Sequence, residues 1–330
     1  MFKIALFGAG RIGKIHAANI SAHLDLALSH VVDVDAGAAT ALAEAHGAAA
    51  ADVDSVLGDA SVDAVLVATS TDTHLDLTLR AHDAGKFVFC EKPVDLDLDR
   101  ALAAAARLDA ARIFVGFNRR FDPNFAALKA QIGSAGLGAL ETLQITSNDP
   151  APPPVSYVRA SGGLFADMTI HDFDMARFLL GEEVAEVFAW GSSLVDPAIG
   201  EAGDIDTARI LLRTATGKLC VIANSRRSGF GYDQRVEAFC SGGMVSAGNM
   251  TETTVQIWSE SGPQGAMFQN FFLERYAAAF RHEIAHFADV VAGRAQPLVT
   301  FMDGVAALAL ATAAKASLLS GQPAAVPPLG

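Results

Sequence analysis

Cysteine, tryptophan and tyrosine are scarce in this chain: 3, 2 and 3 of its 330 residues. The cysteines, Cys90, Cys220 and Cys240, form no CxxC or CxxH spacing, so the sequence carries no zinc signal. An odd, sparse set suits a reducing compartment rather than a disulfide framework. Positive charge is also short. Lys and Arg total 24 against 37 Asp and Glu, a net charge of −13, so nucleic acid and anionic membranes are disfavoured as partners by repulsion. Charged residues make up only 18% of the chain and apolar ones 51%, which argues against intrinsic disorder and supplies a full core. Long uncharged apolar runs are missing too. The longest near the end, 304-GVAALALATAAKASLL-319, is broken by Lys315 and falls short of the roughly 20 residues of a membrane span. It reads as a buried helix. The opening MFKIALFGAG passes from a short apolar run into a glycine turn, without the basic start, longer run and cleavage site of a signal peptide. A cytoplasmic protein is expected.

What is present is alternation. Strand-length apolar runs at 3–7, 27–34, 63–69, 86–90 and 112–116 are separated by helix-period segments at 12–22, 36–46, 73–84 and 97–109. Nearly continuous apolar strands are those of a parallel sheet buried on both faces. The fold class is therefore α/β, with a doubly wound parallel sheet at the N-terminal end. Past residue 120 the pattern changes. A helix at 122–132 and a strand at 139–147 lead into the stiff loop 149-DPAPPP-154, which excludes regular structure. Alternating runs turn at Gly217 and at Gly242-Gly243, the mark of hairpins and of a largely antiparallel, open sheet. Helices at roughly 272–292 and 303–319 close the chain. At 330 residues two domains are expected, residues 1–120 and an α+β domain at 121–330.

Three motifs carry chemistry. The stretch 8-GAGRIG-13 follows a strand and opens a helix. Gly8 permits the tight turn, Gly10 admits a pyrophosphate close to the backbone, and Gly13 lets helix and strand pack. Arg11, Ile12 and the first helical N–H groups complete an anion-binding helix start. Asp33 ends the second strand, twenty residues on, where a carboxylate accepts ribose hydroxyls and repels a 2′-phosphate. This is a Rossmann-type dinucleotide site selecting NAD over NADP, although Arg11 is a cation that favours the 2′-phosphate. The second motif, 90-CEKP-93, leaves a strand's carboxyl end, where open parallel sheets present ligand-binding groups, and delivers Glu91 and Lys92. A surface turn is the plainer account of that pair. Thr69, Ser70 and His74 leave the preceding strand in the same way, His74 equally as a helix-start residue. The third is 161-SGGLFADMTIHDFDMARFLLG-181, read as one helix, with Asp167 and His171 four residues apart on one face. Histidine suits proton transfer near neutral pH. Asp172 falls on another face from Asp167, so the cluster is not a metal site. His282 and His286 lack a third ligand nearby and are expected to pack.

The glycine turn, the EKP and the helix GGLFADMTIHDFD together resemble the Gfo/Idh/MocA oxidoreductase family, and the resemblance spans essentially the whole chain. Within it, 116-GFNRRFDPNF-125 and 163-GLFADMTIHDFDMARFLLG-181 are most similar to inositol 2-dehydrogenases. The resemblance implies Lys92, Asp167 and His171 as catalytic residues, with Lys92 also binding the reacting hydroxyl. Asn118, Arg119, Asp149 and Tyr232 are implied as polyol contacts. Asp149 departs from the pattern, standing where related inositol enzymes place asparagine, and leaves the recognised hydroxyl pattern open. The implied reaction is NAD-dependent oxidation of a secondary hydroxyl of a cyclic polyol, myo-inositol to 2-keto-myo-inositol foremost, without a metal. A homo-oligomer, dimer or tetramer, is implied through the antiparallel sheet. Alternatives are another inositol isomer or sugar, an NAD-using glycosidase, or a dinucleotide-binding regulator without activity. The intact Lys92, Asp167 and His171 set speaks against the last. Arg226-Arg227 is expected as a solvated strand end or an oligomer contact, and Phe114, Phe117 and Phe121 as core.

Overall fold

The apolar runs become strands because burying them on both faces removes their side chains from water. In the computed structural model, which describes residues 1–134, 136–327 and 329, the chain divides into two compact units. Met1–Phe121 with Ala279–Leu308 form the first, and Asp122–Ala278 with Ala309–Gly330 the second.

The first unit is built on six strands, β1 (Phe2–Phe7), β2 (Leu26–Val32), β3 (Ala49–Ala50), β4 (Ala64–Val67), β5 (Phe87–Glu91) and β6 (Ile113–Gly116). They lie in the order β3-β2-β1-β4-β5-β6, and every neighbouring pair is parallel. The helices α1 (Arg11–Ala22), α2 (Ala36–Ala45), α3 (Val53–Gly58), α4 (Thr71–Asp83) and α5 (Leu98–Ala105) connect them. Ile4 to Phe7 and all of β4 are fully buried, as the continuous apolar runs require. The strand order reverses between β1 and β4, the switch point at which open sheets of this kind bind ligands. Five strands and four helices match the expected segments; β3, two residues long, and α3, six, are too short to show a period. Residues 279–308, expected in the second domain, join this unit. The Val115 N–H donates to the Val299 carbonyl at 3.1 Å, and Arg120 pairs with Asp303 at 2.9 Å. Phe287 meets Phe89 and Phe114 with ring centroids at 5.5 and 5.9 Å. Each such buried ring contributes about 1.5–3 kcal/mol relative to leaving it in water.

The second unit opens with α6 (Pro123–Gln131), β7 (Leu140–Asn148), α7 (Val155–Ala160), α8 (Ile170–Leu180), β8 (Val184–Ser192) and α9 (Pro197–Glu201). The strands β9 (Thr207–Thr214), β10 (Leu219–Ser225), β11 (Asp233–Cys240) and β12 (Gly243–Ala247) follow, then the separate hairpin β13 (Gln256–Ser259) and β14 (Gly262–Gly265). The helices α10 (Phe272–Arg275), α11 (Ala277–Val291) and α12 (Phe301–Ser320) and the strand β15 (Ala324–Ala325) end the chain, almost all of α11 and the start of α12 belonging to the first unit. The seven-stranded sheet runs β12-β11-β7-β10-β9-β8-β15. Its pairs are antiparallel except β7 with β10, so it is largely antiparallel and the expected hairpins are its β9–β10 and β11–β12. Asp122 fixes the entry to α6. Its carboxylate accepts from the N–H groups of Asn124 and Phe125 and pairs with Arg275, both side chains being no more than 2% exposed. Helix α12 is 20 residues long and apolar enough to cross a membrane, but most of it is buried inside the fold. It is a core helix, as expected.

One expectation is corrected here. The stretch 161–181 is not one helix. Helix α7 stops at Ala160, Gly162 and Gly163 adopt φ of 83° and 84°, and Phe165–Thr169 forms a π-helical turn before α8 begins. Left-handed φ at two consecutive glycines ends the hydrogen-bonded series, and the wider turn places Asp167 outside regular α geometry.

Candidate active site

The first unit contributes a nucleotide cradle. Gly8 has φ of +106°, and a Cβ there would stand 2.3 Å from the Ala68 carbonyl oxygen. At Gly13 a Cβ would stand 1.9 Å from the Gly8 oxygen. Both positions exclude any side chain. Gly10, the N-cap of α1, has nothing within 4 Å of its Cβ position, so the helix start is open on the side a phosphate would approach. No side chain caps α1, and its first N–H groups and dipole are left to an anion. Arg11 is exposed at this start and Ile12 half-buried. Asp33 anchors the turn: one carboxylate oxygen accepts from the Ala9 N–H at 2.6 Å and the other from the Asp35 N–H at 2.9 Å. Each oxygen keeps a second lone pair, as a ribose ligand would require. These residues fit NAD.

Beyond β4, the Thr69 and Thr73 hydroxyls bond at 2.7 Å, and Ser70 is the exposed N-cap of α4. His74 is buried, its ring nitrogens 2.8 Å from the Pro93 carbonyl and 3.1 Å from the Thr69 carbonyl. The imidazole thus ties the two loops together. Beyond β5, Glu91 turns inward, its carboxylate 2.7 Å from Nε2 of the fully buried His16. Lys92 is half-buried and joined to Pro93 by a cis peptide. Beneath them Glu283 is fully buried, with neither carboxyl oxygen bonded to a described residue. Burial, and then the charge of Glu91, push its carboxyl well above the usual range. After β6, Asn118 and Arg119 lie on a short 3-10 turn and are both buried. The Asn118 Oδ1 has no partner among the described residues, an acceptor of the kind a ligand hydroxyl satisfies.

The second unit contributes a polar cluster around the π turn. The Tyr157 hydroxyl donates to Asp167 Oδ1 at 2.9 Å, and Arg226 Nη2 donates to Asp167 Oδ2 at 2.9 Å. Arg226 Nη1 reaches Asp149 Oδ2 at 3.4 Å. His171 follows in the first turn of α8, half-buried. Asp172, by contrast, points into the unit and accepts from Asn224 at 2.8 Å, so it and Asp167 separate as expected. Tyr232 is buried before β11, edge-on to Tyr276 at 5.9 Å. The expectation for the arginine pair is half corrected. Arg227 is exposed, but the Arg226 side chain is only 3% exposed. Strand side chains alternate between faces, and that signal marks one of two adjacent arginines as inward. Tyr157 left no signal, lying in another helix across a glycine break.

Other candidates pack. His282 meets the Phe121 carbonyl at 3.2 Å, and His286 accepts from the Leu298 N–H at 3.1 Å. Among the described residues no group of three or more His, Cys, Asp or Glu side chains is placed to hold a metal ion. Phe114, Phe117 and Phe121 are buried core, as expected. All three cysteines are free and buried; burial pushes the Cys90 thiol up to about 12 and raises Cys220 and Cys240. None is a nucleophile near neutral pH.

Comparison with known proteins covers nearly the whole chain. Residues 2–117 match the model of the GFO/IDH/MocA oxidoreductase family, NAD-binding Rossmann fold, and residues 125–246 match the model of the GFO/IDH/MocA C-terminal domain. Inositol 2-dehydrogenase of Rhizobium meliloti (strain 1021) is 46% identical over 318 residues, 96% of each chain. Myo-inositol 2-dehydrogenase of Thermotoga maritima is 48% identical over 321 residues, again 96% of each. Among solved structures, a myo-inositol dehydrogenase from Corynebacterium glutamicum superposes with a TM-score of 0.95 at 44% identity, covering 99% of each chain. A scyllo-inositol dehydrogenase from Lactobacillus casei with bound NAD(H) and scyllo-inositol superposes with a TM-score of 0.88 at 29% identity, covering 99% of each.

Proposed function

We propose that this chain, which belongs to the Gfo/Idh/MocA oxidoreductase family, oxidises a secondary hydroxyl of inositol to the ketone with NAD. Myo-inositol, giving 2-keto-myo-inositol, is the leading substrate. The observation that carries the reading is the π turn and first turn of α8, where Asp167 is held by Tyr157 and Arg226 and is followed by His171. A regulator has no use for a carboxylate so fixed beside a base.

Bound NAD supplies the hydride acceptor. His171 takes the hydroxyl proton as general base, a role suited to an imidazole near neutral pH. The Lys92 ammonium binds the same oxygen and stabilises the negative charge it gains. Asp167 accepts a hydrogen bond from a substrate hydroxyl. Asn118, Arg119, Asp149 and Tyr232 are assigned to the other hydroxyls. The cradle of Gly8, Gly10, Arg11, Ile12, Gly13 and Asp33 holds the dinucleotide, with Thr69, Ser70, His74 and Glu91 at the loops beside it. Alcohol and NAD become ketone, NADH and one proton. The protein acts in the cytoplasm, consistent with three unpaired cysteines, as a homo-oligomer.

The test is NADH absorbance with NAD or NADP against inositol isomers, aldoses and sugar acids. Turnover of myo-inositol with NAD is expected. Tight NAD binding without turnover of any polyol would sink the dehydrogenase reading.

A further inference from the structure

The second unit contains a buried cation, Arg226, to which the reaction as written above gives no part of its own. Arg226 follows β10 directly, and its backbone N–H donates to the Asp206 carbonyl at 2.8 Å, so the main chain is pinned before the side chain begins. From there the guanidinium reaches two carboxylates from different elements. One is Asp167 on the π turn, at 2.9 Å; the other is Asp149 just past β7, at 3.4 Å. The Asp149 backbone is itself fixed, its N–H donating to the Ser225 carbonyl at 2.9 Å. Neighbouring carboxylates are engaged elsewhere. Asp206 accepts from the N–H groups of Leu194, Val195 and Asp196, Asp172 from Asn224, and Asp233 from Arg235 and Asn249.

A side chain 3% exposed and carrying a full charge is tolerated only when paired. The converse also holds: two carboxylates converging on one buried point repel each other unless a cation lies between them. Asp167 is bonded at both oxygens, by Tyr157 and by Arg226, which sets its rotamer and directs its remaining lone pairs. We propose that Arg226 is a positioning residue of the inositol-binding half-site: it holds Asp167 in a single orientation and offsets the charge of Asp149. This rests on the assignment of Asp167 and His171 made above. Asp149 is then both a polyol contact and the second carboxylate of the clamp.

The experiment is steady-state kinetics of the full-length protein with myo-inositol and NAD, for wild type, Arg226→Lys, Arg226→Met, Asp149→Asn and the double variant Arg226→Met/Asp149→Asn. A catalytic group displaced by about 1 Å costs on the order of 100-fold, so Arg226→Met is expected to lose about that factor in kcat, with the KM for NAD unchanged. Arg226→Lys, which keeps the charge but not the fork, is expected to fall between. The double variant is expected to recover about tenfold over Arg226→Met, within the coupling found for neighbouring charges. A purely structural arginine predicts that the double variant regains melting temperature without regaining kcat per folded enzyme. Wild-type kcat in Arg226→Met, or no recovery in the double variant, would overturn the proposal. If Arg226→Met does not fold, Arg226→Lys decides: a lowered kcat at unchanged NAD affinity supports the clamp, and wild-type kinetics overturn it. Inactivity of wild type itself would remove the functional reading and this proposal with it, whereas an active wild type with silent Arg226 variants removes the clamp alone.

Discussion

At the scale of single residues, the reading assigns chemistry to a few side chains and each assignment can fail separately. Removing a positioned general base or a charge at the reacting oxygen costs roughly 10²–10⁴-fold in rate. His171→Ala and Lys92→Ala are each expected to lower kcat by that order while equilibrium dialysis finds NAD affinity near wild type. Collapse of NAD binding would make them structural residues. For Asp33, two like charges about 4 Å apart near a protein surface repel by about 4 kcal/mol. Relieving a third of this in Asp33→Ser shifts the NADP-to-NAD ratio of kcat/KM about tenfold towards NADP; an unmoved ratio would show that Asp33 is only the anchor of the Ala9 turn. The motifs that carry Lys92, Asp167 and His171 were legible because they stand at fitting separations along the chain. Arg226 was not, since a doublet of arginines at a strand end looks solvated until the fold turns one of them inward.

At the scale of elements, helix and strand periods located the main segments closely, and the failures have local causes. The 161–181 stretch has the apolar spacing of one helix, but Gly162 and Gly163 take left-handed φ and a π turn follows. Such turns occur frequently at functional sites, and the one here carries Asp167. Residues 279–308 show a helix period but nothing that says which sheet they cover. That segment brings Glu283 beneath the EKP turn. Its carboxyl is raised above the ordinary value in the folded state, so its contribution to stability is complete below the unfolded value and is lost as pH rises towards the folded one. Glu283→Gln removes the titration. The melting temperature of the variant relative to wild type is expected to climb from pH 5 to pH 9, and a difference independent of pH would contradict the burial argument.

At the scale of the whole molecule, the second sheet presents an apolar face. Trp190, Leu211, Leu219, Phe239 and Met244 lie on its strands and are exposed, from 63% at Trp190 to 46% at Leu219. Leu211 pairs with Phe188 on one side and Val221 on the other, so the patch continues across strands. Contiguous apolar surface of this kind marks an interaction site, and a second copy of the chain is the expected occupant. Light scattering should find wild type as a dimer or tetramer and Leu211→Glu shifted to smaller species. An unchanged mass in that variant would place the interface elsewhere.

The amino-acid sequence by itself determined the α/β unit, its glycine turn, the carboxylate of Asp33 just past β2 and the order of the chemical motifs. Those depend on local period, on φ and on the absence of side chains, all written along the chain. Tertiary structure alone decided that Tyr157 and Arg226 meet on Asp167 and that Asp149 shares the Arg226 guanidinium, and that Glu91, His16 and Glu283 share one buried interior. Residues gathered in this way stand as far apart as His16 and Glu283, 267 positions along the chain, and no local pattern encodes which charges the fold will bury together.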